Sequence, residues 1–263
     1  MEPLVKRLDY LWRMLATGLC FASFSLGGLV LGFCVIPLVN LQTRDRRERI
    51  RRTRWCVHMT LRIFTRMMSL LGVIDFDTAA AGQVLARQRG KVIIANHPSL
   101  IDVVVLISVM PHANCIIKKD LWDNPFIKGV LKAADYIRNS GDMENLISAC
   151  QRSLEEGYSL IIFPEGTRTT PGQEMTLQRG ASNIALLCKA DLVPVLIQCK
   201  PTTLTKNEKW YSIPPTKVHF SLQVHPPFEL AQFDTERSSR AIKARQLTAQ
   251  IKSHYMKSLQ NHE

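Results

Sequence analysis

The hydrophobic pattern of the chain opens with one long apolar segment. Residues 14–39 read MLATGLCFASFSLGGLVLGFCVIPLV, twenty-six residues without a charged side chain. As an α-helix this segment is about 39 Å long, which exceeds the roughly 30 Å hydrocarbon core of a bilayer. It is also longer than the apolar core of a signal peptide. The pattern predicts membrane insertion, either as a full span or as a bent or re-entrant helix, for which the segment's glycines and proline leave room: Gly18, Gly27, Gly28, Gly32 and Pro37.

The segment after the apolar run is strongly basic and has helical periodicity. From Arg44 to Arg66 nine arginines stand against two acidic residues, which gives a local charge of +7. Apolar residues recur here at helical spacing, at Cys56, Met59, Ile63, Phe64, Met67 and Leu71. A basic amphipathic helix suits an anionic membrane surface, and an ordinary helix packed on the domain fits the same pattern. The positive-inside rule then places the body of the protein in the cytoplasm.

Beyond Gly72 short β-rich runs alternate with helical stretches. The predicted strands are 91–96, 114–119, 134–139, 159–166 and 192–199, and the predicted helices between them are 101–110, 125–133, 143–156 and 179–188. This alternation predicts an α/β fold with a mostly parallel central sheet and helices on both faces. One more strand or a hairpin is expected within residues 216–230, and a polar surface helix from residue 235 onward.

The chain is expected to divide into three regions. Residues 1–71 form a membrane-anchoring helical region, residues 72–230 an α/β domain and residues 231–263 a C-terminal helical tail. In sheets of this kind ligands bind at the carboxyl ends of the strands. Reactive residues are therefore sought directly after the predicted strands.

Charge and cysteine content restrict the partners. Lys and Arg outnumber Asp and Glu by 34 to 22, a formal charge of +12, which attracts nucleic acid, acidic lipid or an acidic carrier protein. Nucleic acid is not expected, because the sequence has no nucleic-acid motif and anionic lipid explains a polybasic segment beside a membrane anchor. The seven cysteines include no CxxC pair, so neither a disulfide framework nor a metal site is expected.

The first candidate for chemistry follows the strand predicted at 91–96. His97 falls in the turn, Pro98 ends the strand, and Asp102 lies in the first turn of the next helix, where its carboxylate can reach back to the imidazole. That pairing would fix the tautomer and leave the other ring nitrogen free as a general base. The alternative is structural, because Ser99-x-x-Asp102 also resembles a capping box.

A second polar cluster ends the strand predicted at 159–166. The sequence FPEGTR at 163–168 offers backbone N–H groups, a hydroxyl, a carboxylate and a guanidinium. These groups suit a phosphorylated polyol, with Arg168 on the phosphate and Glu165 on a hydroxyl. The alternative is a polar turn in which Arg168 and Glu165 form a solvated pair.

Together, NHxxxxD and FPEGTR closely resemble the glycerolipid acyltransferase family, whose bacterial members acylate 1-acylglycerol-3-phosphate. The likeness covers residues 91–199 and includes Lys118-Lys119-Asp120-Leu121, Pro125-Phe126, Gly129, Arg179-Gly180 and Val193-Pro194-Val195. The family's second motif usually has a glycine and an acidic residue before its arginine. Residues 133–139 contain no glycine, and Ile137 rather than an acidic residue stands directly before Arg138, which leaves the identity of the acceptor open.

The resemblance implies acyl transfer from acyl-CoA or acyl carrier protein to the hydroxyl of a lysolipid, with 1-acylglycerol-3-phosphate giving phosphatidate. His97 would deprotonate the hydroxyl and Asp102 would orient His97. The acceptor headgroup would be held by Glu165, Gly166, Thr167 and Arg168, with help from Lys118 or Lys119 and from Arg138. No cofactor is expected beyond the acyl donor, and an apolar tunnel should hold the acyl chain. No covalent acyl-enzyme is required, since the sequence has no G-x-S-x-G elbow.

Two alternatives remain open. The same chemistry could act on another acceptor: a lysophospholipid, a lyso-ornithine lipid or a specialised lipid. A non-catalytic membrane protein that binds lipids would share the anchor and the fold. In either case the expected partners are membrane lipids, and the expected place is the cytoplasmic face of a bacterial inner membrane, although an endoplasmic reticulum would also fit the topology.

Overall fold

The computed structural model describes residues 2–124, 126–139, 141–170, 172–233 and 239–260. Within them one sheet contains β1 (Ile74–Asp77), β2 (Val92–Ala95), β3 (Ala113–Ile117), β4 (Ile137–Arg138), β5 (Ser159–Ile162), β6 (Leu192–Lys200) and β7 (Val218–Val224). The strand order is β1-β7-β6-β2-β5-β3-β4. Neighbouring strands are parallel except β6 and β7, which are antiparallel. The prediction of an α/β fold with a mostly parallel sheet is confirmed.

Helices cover both faces of the sheet. They are α1 (Glu2–Val30), α2 (Ile36–Gln42), α3 (Arg46–Leu70), α4 (Ala79–Leu85), α5 (Asp102–Val109), α6 (Lys119–Trp122), α7 (Lys128–Ala133), α8 (Met143–Glu155), α9 (Gly180–Cys188) and α10 (Arg240–Gln260). One hydrophobic cluster lies between the sheet and α1, α3 and α5, and a second lies between the sheet and α8, α9 and α10. Because both faces are covered, the central strand β2 is apolar along its whole length and fully buried.

The N-terminal segment is one continuous helix. A π-helical turn at Leu31–Val35 joins α1 to α2, so the helix runs from Leu4 to Gln42 and is long and apolar enough to cross a membrane. One side packs on the domain through Ala16, Cys20 and other buried residues. The opposite side exposes apolar residues that include Leu4, Leu8, Leu11, Leu15, Leu19, Leu26 and Phe33. The helix therefore presents an apolar surface away from the domain.

Helix α3 packs on α5, but its buried face differs from the predicted one. Ile63, expected on the apolar side, is 63% exposed, whereas Arg54 and His58 are buried. His58 Nδ1 lies 2.8 Å from the carbonyl oxygen of Ile107, and Arg54 Nε donates to the carbonyl of Ala134 at 2.7 Å. The two polar residues are buried because carbonyls at the ends of α5 and α7 are available to them.

The predicted strand 134–139 is reduced to Ile137–Arg138. Ala134 ends α7, and Asp135 has a φ of +53°, so the chain becomes extended only after this turn.

The C-terminal helix α10 also differs from its prediction, because it is not only a surface helix. Its fully buried Tyr255 donates a hydroxyl hydrogen bond to the carbonyl of Ile94 at 2.8 Å, so the tail contacts a central strand. Residues 234–238 and 261–263 of the predicted tail lie outside the described residues, as does Pro125.

Candidate active site

Both sequence motifs lie at the same edge of the sheet. β2 ends at Ala95 and the chain reaches His97 two residues later, while β5 ends at Ile162 and leads into FPEGTR. β2 and β5 are hydrogen-bonded neighbours and run parallel, so their carboxyl ends coincide. This is the edge at which open parallel sheets bind ligands.

His97 and Asp102 form a direct pair. His97 Nδ1 lies 2.7 Å from Asp102 Oδ2, and the same oxygen accepts the backbone N–H of Ser99 at 2.8 Å. Asp102 therefore accepts the backbone N–H of Ser99 and also contacts the imidazole, while the Ser99 hydroxyl forms no reciprocal cap because it donates to Thr203. The general-base role of His97 stays a prediction. With Nδ1–H donating to the carboxylate, Nε2 is the ring nitrogen left to accept a proton.

Burial governs the carboxylates of the site. Loss of hydration raises the pKa of Asp102, whose side chain is fully buried, and the hydrogen bonds from His97 and Ser99 only partly offset this effect. Burial likewise raises the pKa of Glu165 against the hydrogen bonds that it accepts. Asp102 Oδ1 is buried and has no hydrogen-bond partner among the described residues. Asp102 thus contacts the imidazole of His97, whereas Glu165 contacts the backbone of the same residue.

Glu165 joins the two motifs to each other. Its Oε1 accepts the backbone N–H of His97 at 2.9 Å, and both of its oxygens lie within 3.1 Å of the Thr169 hydroxyl. The backbone N–H of Thr169 donates to the carbonyl of His97 at 2.7 Å. His97 is therefore held on both sides of its backbone by the FPEGTR segment. Contact of Glu165 with an acceptor hydroxyl stays a prediction.

The turn of the second motif depends on a glycine. Gly166 has a φ of +69°, the left-handed region, and its N–H donates to the carbonyl of Phe163 at 3.0 Å. Gly166 is exposed, and Thr167 is half-buried beside it. Arg168 follows and donates from Nη1 to the carbonyls of Leu204 and Thr205 at 2.8 and 2.9 Å.

The remaining predicted acceptor residues lie farther along the sheet edge. Lys118 is exposed directly after β3, and Lys119 opens α6. Arg138 ends β4, where its Nη2 lies 3.6 Å from Asp123 Oδ2. β4 is the third strand from β2, which separates the two strands by about 14 Å at the usual strand spacing. The structure thus brings together the His97, Asp102, Glu165 and Arg168 segments and leaves Arg138 apart from them.

Several contacts of the site were missed by the sequence analysis. The ring of Phe163 stacks on the imidazole of His97 with centroids 4.1 Å apart, and Thr169 directly follows the recognised motif. The Ser99 hydroxyl donates to the carbonyl of Thr203 at 2.9 Å, 104 residues away in the chain. Phe163 begins the FPEGTR motif and Thr169 directly follows it, so both positions carried a usable signal in the sequence, whereas the loop around Thr203 carries none.

An apolar cavity of about 220 Å³ adjoins the site. Its lining comes from α1, α3, α5 and the loop after β6, and includes Cys20, Phe24, Met68, Ile101, Val104 and Leu204. Ile101 lies in the loop between His97 and Asp102, and the carbonyl of Leu204 accepts both Arg168 Nη1 and the N–H of Leu100. The cavity therefore borders the two motif loops.

Other reactive groups are less well placed for chemistry. Burial raises the pKa of Cys115, Cys150 and Cys199 to about 12, which keeps these groups as thiols rather than nucleophilic thiolates. Among the residues that the structure describes, no group of three or more His, Cys, Asp and Glu side chains is arranged to hold a metal ion.

Three known proteins are similar in sequence to this chain. The 1-acyl-sn-glycerol-3-phosphate acyltransferase of Helicobacter pylori is 31% identical over 129 residues, which are 47% of this chain and 50% of the relative. The enzyme of that name from Bacillus subtilis is 34% identical over 118 residues, 43% of this chain and 58% of the relative. The one from Cocos nucifera is 26% identical over 194 residues, 72% of this chain and 59% of the relative. The chain thus spans between half and three fifths of their lengths.

A solved structure shares the fold. The crystal structure of PlsC, the 1-acyl-sn-glycerophosphate acyltransferase of Thermotoga maritima, matches with a TM-score of 0.65 at 18% identity, and the match covers 95% of this chain and 97% of that one. A family model described as Acyltransferase matches residues 79–198, which hold both motifs. Residues 79–198 of this chain, with both motifs among them, are thus similar to the family described as Acyltransferase.

Proposed function

We propose that the protein transfers a fatty acyl group from an acyl thioester to the free hydroxyl of a lysolipid, with 1-acylglycerol-3-phosphate as acceptor and phosphatidate as product. The observation that carries the proposal is the 2.7 Å contact between His97 Nδ1 and the buried Asp102, beside an apolar cavity. The names of the Helicobacter, Bacillus and Cocos relatives support this acceptor.

In the proposed reaction His97 acts as general base. Its Nε2 takes the proton of the acceptor hydroxyl while the hydroxyl oxygen forms a bond to the thioester carbonyl carbon. The carbon–sulfur bond then breaks, and the imidazolium returns the proton to the leaving thiolate, so that an ester and a free thiol are released. Asp102 stabilises the imidazolium, and the stacked ring of Phe163 restrains the imidazole plane.

The apolar cavity is the proposed site of the donor's acyl chain. A Cys20→Phe substitution should fill part of it, because Cys20 is 2% exposed and lines the cavity from α1. We expect the preferred acyl chain to become shorter by several carbons, with kcat/KM for the longest accepted donor reduced about 10-fold or more. Donors of graded chain length measure this shift.

Leu19→Phe is the matched control for that prediction. It adds a ring to the neighbouring position of the same helix, where the side chain is 53% exposed and outside the cavity lining. The chain-length profile of this variant should equal that of the unmodified protein. An unchanged profile in Cys20→Phe would place the acyl chain elsewhere.

Arg168 is the proposed contact for the acceptor phosphate. Replacing it by glutamine should raise KM for 1-acylglycerol-3-phosphate by about 10- to 100-fold, because a charged hydrogen bond to phosphate is lost. Monoacylglycerol, which has no phosphate, is the control acceptor, and its KM should change little. An equal rise for both acceptors would mean that Arg168 acts only by holding the carbonyls of Leu204 and Thr205.

Membrane attachment fits the position of the site. Exposed apolar side chains are found at Leu100, Leu121 and Phe126, close to the sheet edge that carries the motifs. The long N-terminal helix follows the domain surface, since Arg13 donates to the carbonyls of Pro214 and Pro215 and a Cβ at Gly18 would approach the Trp210 ring within 3.3 Å. We propose that this helix inserts beside the domain on the cytoplasmic face of a bacterial inner membrane, so that the lysolipid need not leave the bilayer.

The function is tested by offering the protein each donor and acceptor class. Membranes containing it receive 1-acylglycerol-3-phosphate with acyl-CoA or with acyl carrier protein, and products are identified by mass spectrometry. We expect phosphatidate from at least one donor. Faster acylation of another lysophospholipid or of lyso-ornithine lipid would replace the acceptor, and absence of product from every pair would favour a non-catalytic lipid-binding protein.

A further inference from the structure

The loop between β6 and β7 starts beside the candidate active site. β6 runs parallel to β2, so the end of β6 lies at the edge of the sheet that carries His97. The carbonyl of Leu204 accepts the N–H of Leu100 and Arg168 Nη1. We call residues 205–217, which lead from there to β7, the site-edge loop. A partner that binds the site-edge loop is therefore held at the His97 edge of the sheet.

The site-edge loop exposes two neighbouring aromatic rings. Trp210 is 45% exposed and Tyr211 is 47% exposed, and their ring centroids lie 5.6 Å apart in an edge-to-face arrangement. The Trp210 ring also packs on α1, where its centroid lies 5.9 Å from that of Phe21. Exposed Trp and Tyr side chains are typical of the level at which a bilayer meets water, because the ring is apolar and its N–H or O–H group stays hydrated.

The same loop is basic. Its exposed cations are Lys206, Lys209 and Lys217, and its one carboxylate is Glu208. Glu208 Oε2 accepts the backbone N–H of Thr205 at 2.9 Å, so this carboxylate folds back onto the start of the loop. Lys209 Nζ lies 5.6 Å from the centre of the Tyr211 ring, which places a cation beside the aromatic pair. Exposed rings combined with positive charge match an anionic lipid surface.

A groove of about 740 Å³ lies between the end of the site-edge loop and the first turns of α1. The groove is lined by three cations, Lys6, Arg7 and Lys217, and its apolar wall includes Leu11 and Pro215. Its one carboxylate, Asp9, lies 2.9 Å from the guanidinium of Arg13, which is outside the lining. Three cations beside an apolar wall suit the phosphate group of an anionic amphiphile.

The first turns of α1 extend past the site-edge loop. Residues 4–12 are all exposed, whereas the following Arg13 is buried and donates to the carbonyls of Pro214 and Pro215. The exposed segment carries large apolar side chains that include Leu8 and Trp12. Contiguous exposed apolar side chains of this kind mark a surface that binds a partner or a membrane. The aromatic pair, the groove and these turns lie together at the site edge.

We propose that residues 4–12 and 205–217 bind the surface of a bilayer that contains anionic phospholipid, with lipid phosphate in the groove and Trp210 and Tyr211 at the level of the headgroups. The proposal goes beyond insertion of the long helix, because a second part of the chain contacts the lipid and holds the His97 edge of the sheet against the bilayer. It rests on the membrane attachment in the proposed function, but not on acyl transfer.

Tryptophan fluorescence tests the position of the loop. The full-length variant Trp12→Phe/Trp55→Phe/Trp122→Phe keeps Trp210 as its one tryptophan. In vesicles of phosphatidylcholine and phosphatidylglycerol, we expect brominated acyl chains to lower its emission about twofold or more relative to unbrominated chains, because the ring lies at the lipid interface. Unchanged emission would overturn the proposal. If Trp210 is also shielded from iodide in that case, a protein neighbour covers the loop.

The charge of the surface is tested with all four tryptophans in place. Lys209→Gln/Lys217→Gln should raise the apparent dissociation constant for vesicles that contain phosphatidylglycerol about 5-fold or more, and should change it little for phosphatidylcholine alone. Lys189→Gln/Lys257→Gln is the matched control, because these exposed lysines follow α9 and lie on α10, which pack on the other face of the sheet from α1. Equal losses in the two double variants would make overall charge the cause and overturn the proposal.

Kinetics separate this surface from the acceptor site. Lys209→Gln/Lys217→Gln should raise KM for 1-acylglycerol-3-phosphate in anionic vesicles about 5-fold, and should leave kcat and the KM for a short-chain acceptor dissolved as monomers unchanged. An equal rise for both acceptors would assign the lysines to the acceptor site and overturn the proposal. If the unmodified protein transfers no acyl group, the proposed reaction fails, and fluorescence and vesicle titration still decide the surface. If it binds neither kind of vesicle, the surface and the membrane attachment both fail.

Discussion

Replacing His97 by alanine is expected to lower kcat/KM for acyl transfer by about 10³-fold or more. The substitution removes the only proposed proton acceptor for the attacking hydroxyl and leaves the buried Asp102 without the imidazole that it contacts. Fluorimetric or mass-spectrometric assay of acyl transfer at saturating and limiting acceptor measures the effect. Because the base acts in the transition state, kcat should fall at least as much as kcat/KM.

The fold of the His97→Ala variant should survive. The His97 side chain is 18% exposed, and the loop is held by backbone hydrogen bonds to Glu165 and Thr169 that alanine retains. His219→Ala is the matched control, since His219 is 55% exposed on β7 and lies 3.6 Å from Asp75. Its activity should equal that of the unmodified protein. Acyl transfer that persists in His97→Ala would support the proposed activity but would reject His97 as its general base.

The sheet could be predicted from the sequence because its central strands are buried on both faces. The run at β2 is apolar throughout and the run at β6 is apolar from Leu192 to Ile197, which separates them clearly from the helices between them. The face of α3 could not be predicted in the same way. Helical periodicity assumes that apolar residues are inside, whereas Arg54 and His58 are buried because distant carbonyls accept their hydrogen bonds.

Contacts between site residues that are close in sequence or at the ends of neighbouring strands could be predicted from the sequence. Contacts with the loop after β6 could not. Only four residues separate His97 from Asp102, so one strand end and one helical turn bring them together. The approach of Glu165 also follows once β2 and β5 are parallel neighbours. The contact of Ser99 with Thr203 depends instead on how the chain leaves β6, which no motif records.

Asp102→Asn is expected to lower activity by about 10²- to 10³-fold and to stabilise the folded protein at neutral and higher pH. Activity falls because a neutral amide cannot stabilise the imidazolium and does not favour the tautomer with the proton on Nδ1. Stability rises because burial, the largest influence, raises the pKa of Asp102 from 3.8 to about 6, so the ionised carboxylate is disfavoured in the folded state. The ionised carboxylate of Asp102 would then contribute to activity while it lowers the stability of the folded protein.

The way in which the stability of Asp102→Asn changes with pH distinguishes the burial of a charged carboxylate from a simple loss of contacts. A raised pKa means that the folded state binds the proton more tightly, so the contribution of Asp102 to stability is present below pH 3.8 and is lost as the pH rises through about 6. Asparagine has no such titration, and its advantage should grow between these values to the order of 1–3 kcal/mol at pH 8. Unfolding near pH 4 and pH 8, with the exposed Asp77→Asn as control, measures the difference. If the asparagine variant instead loses stability as the pH rises, the ionised carboxylate stabilises the fold, and its hydrogen bonds from His97 and Ser99 outweigh its burial.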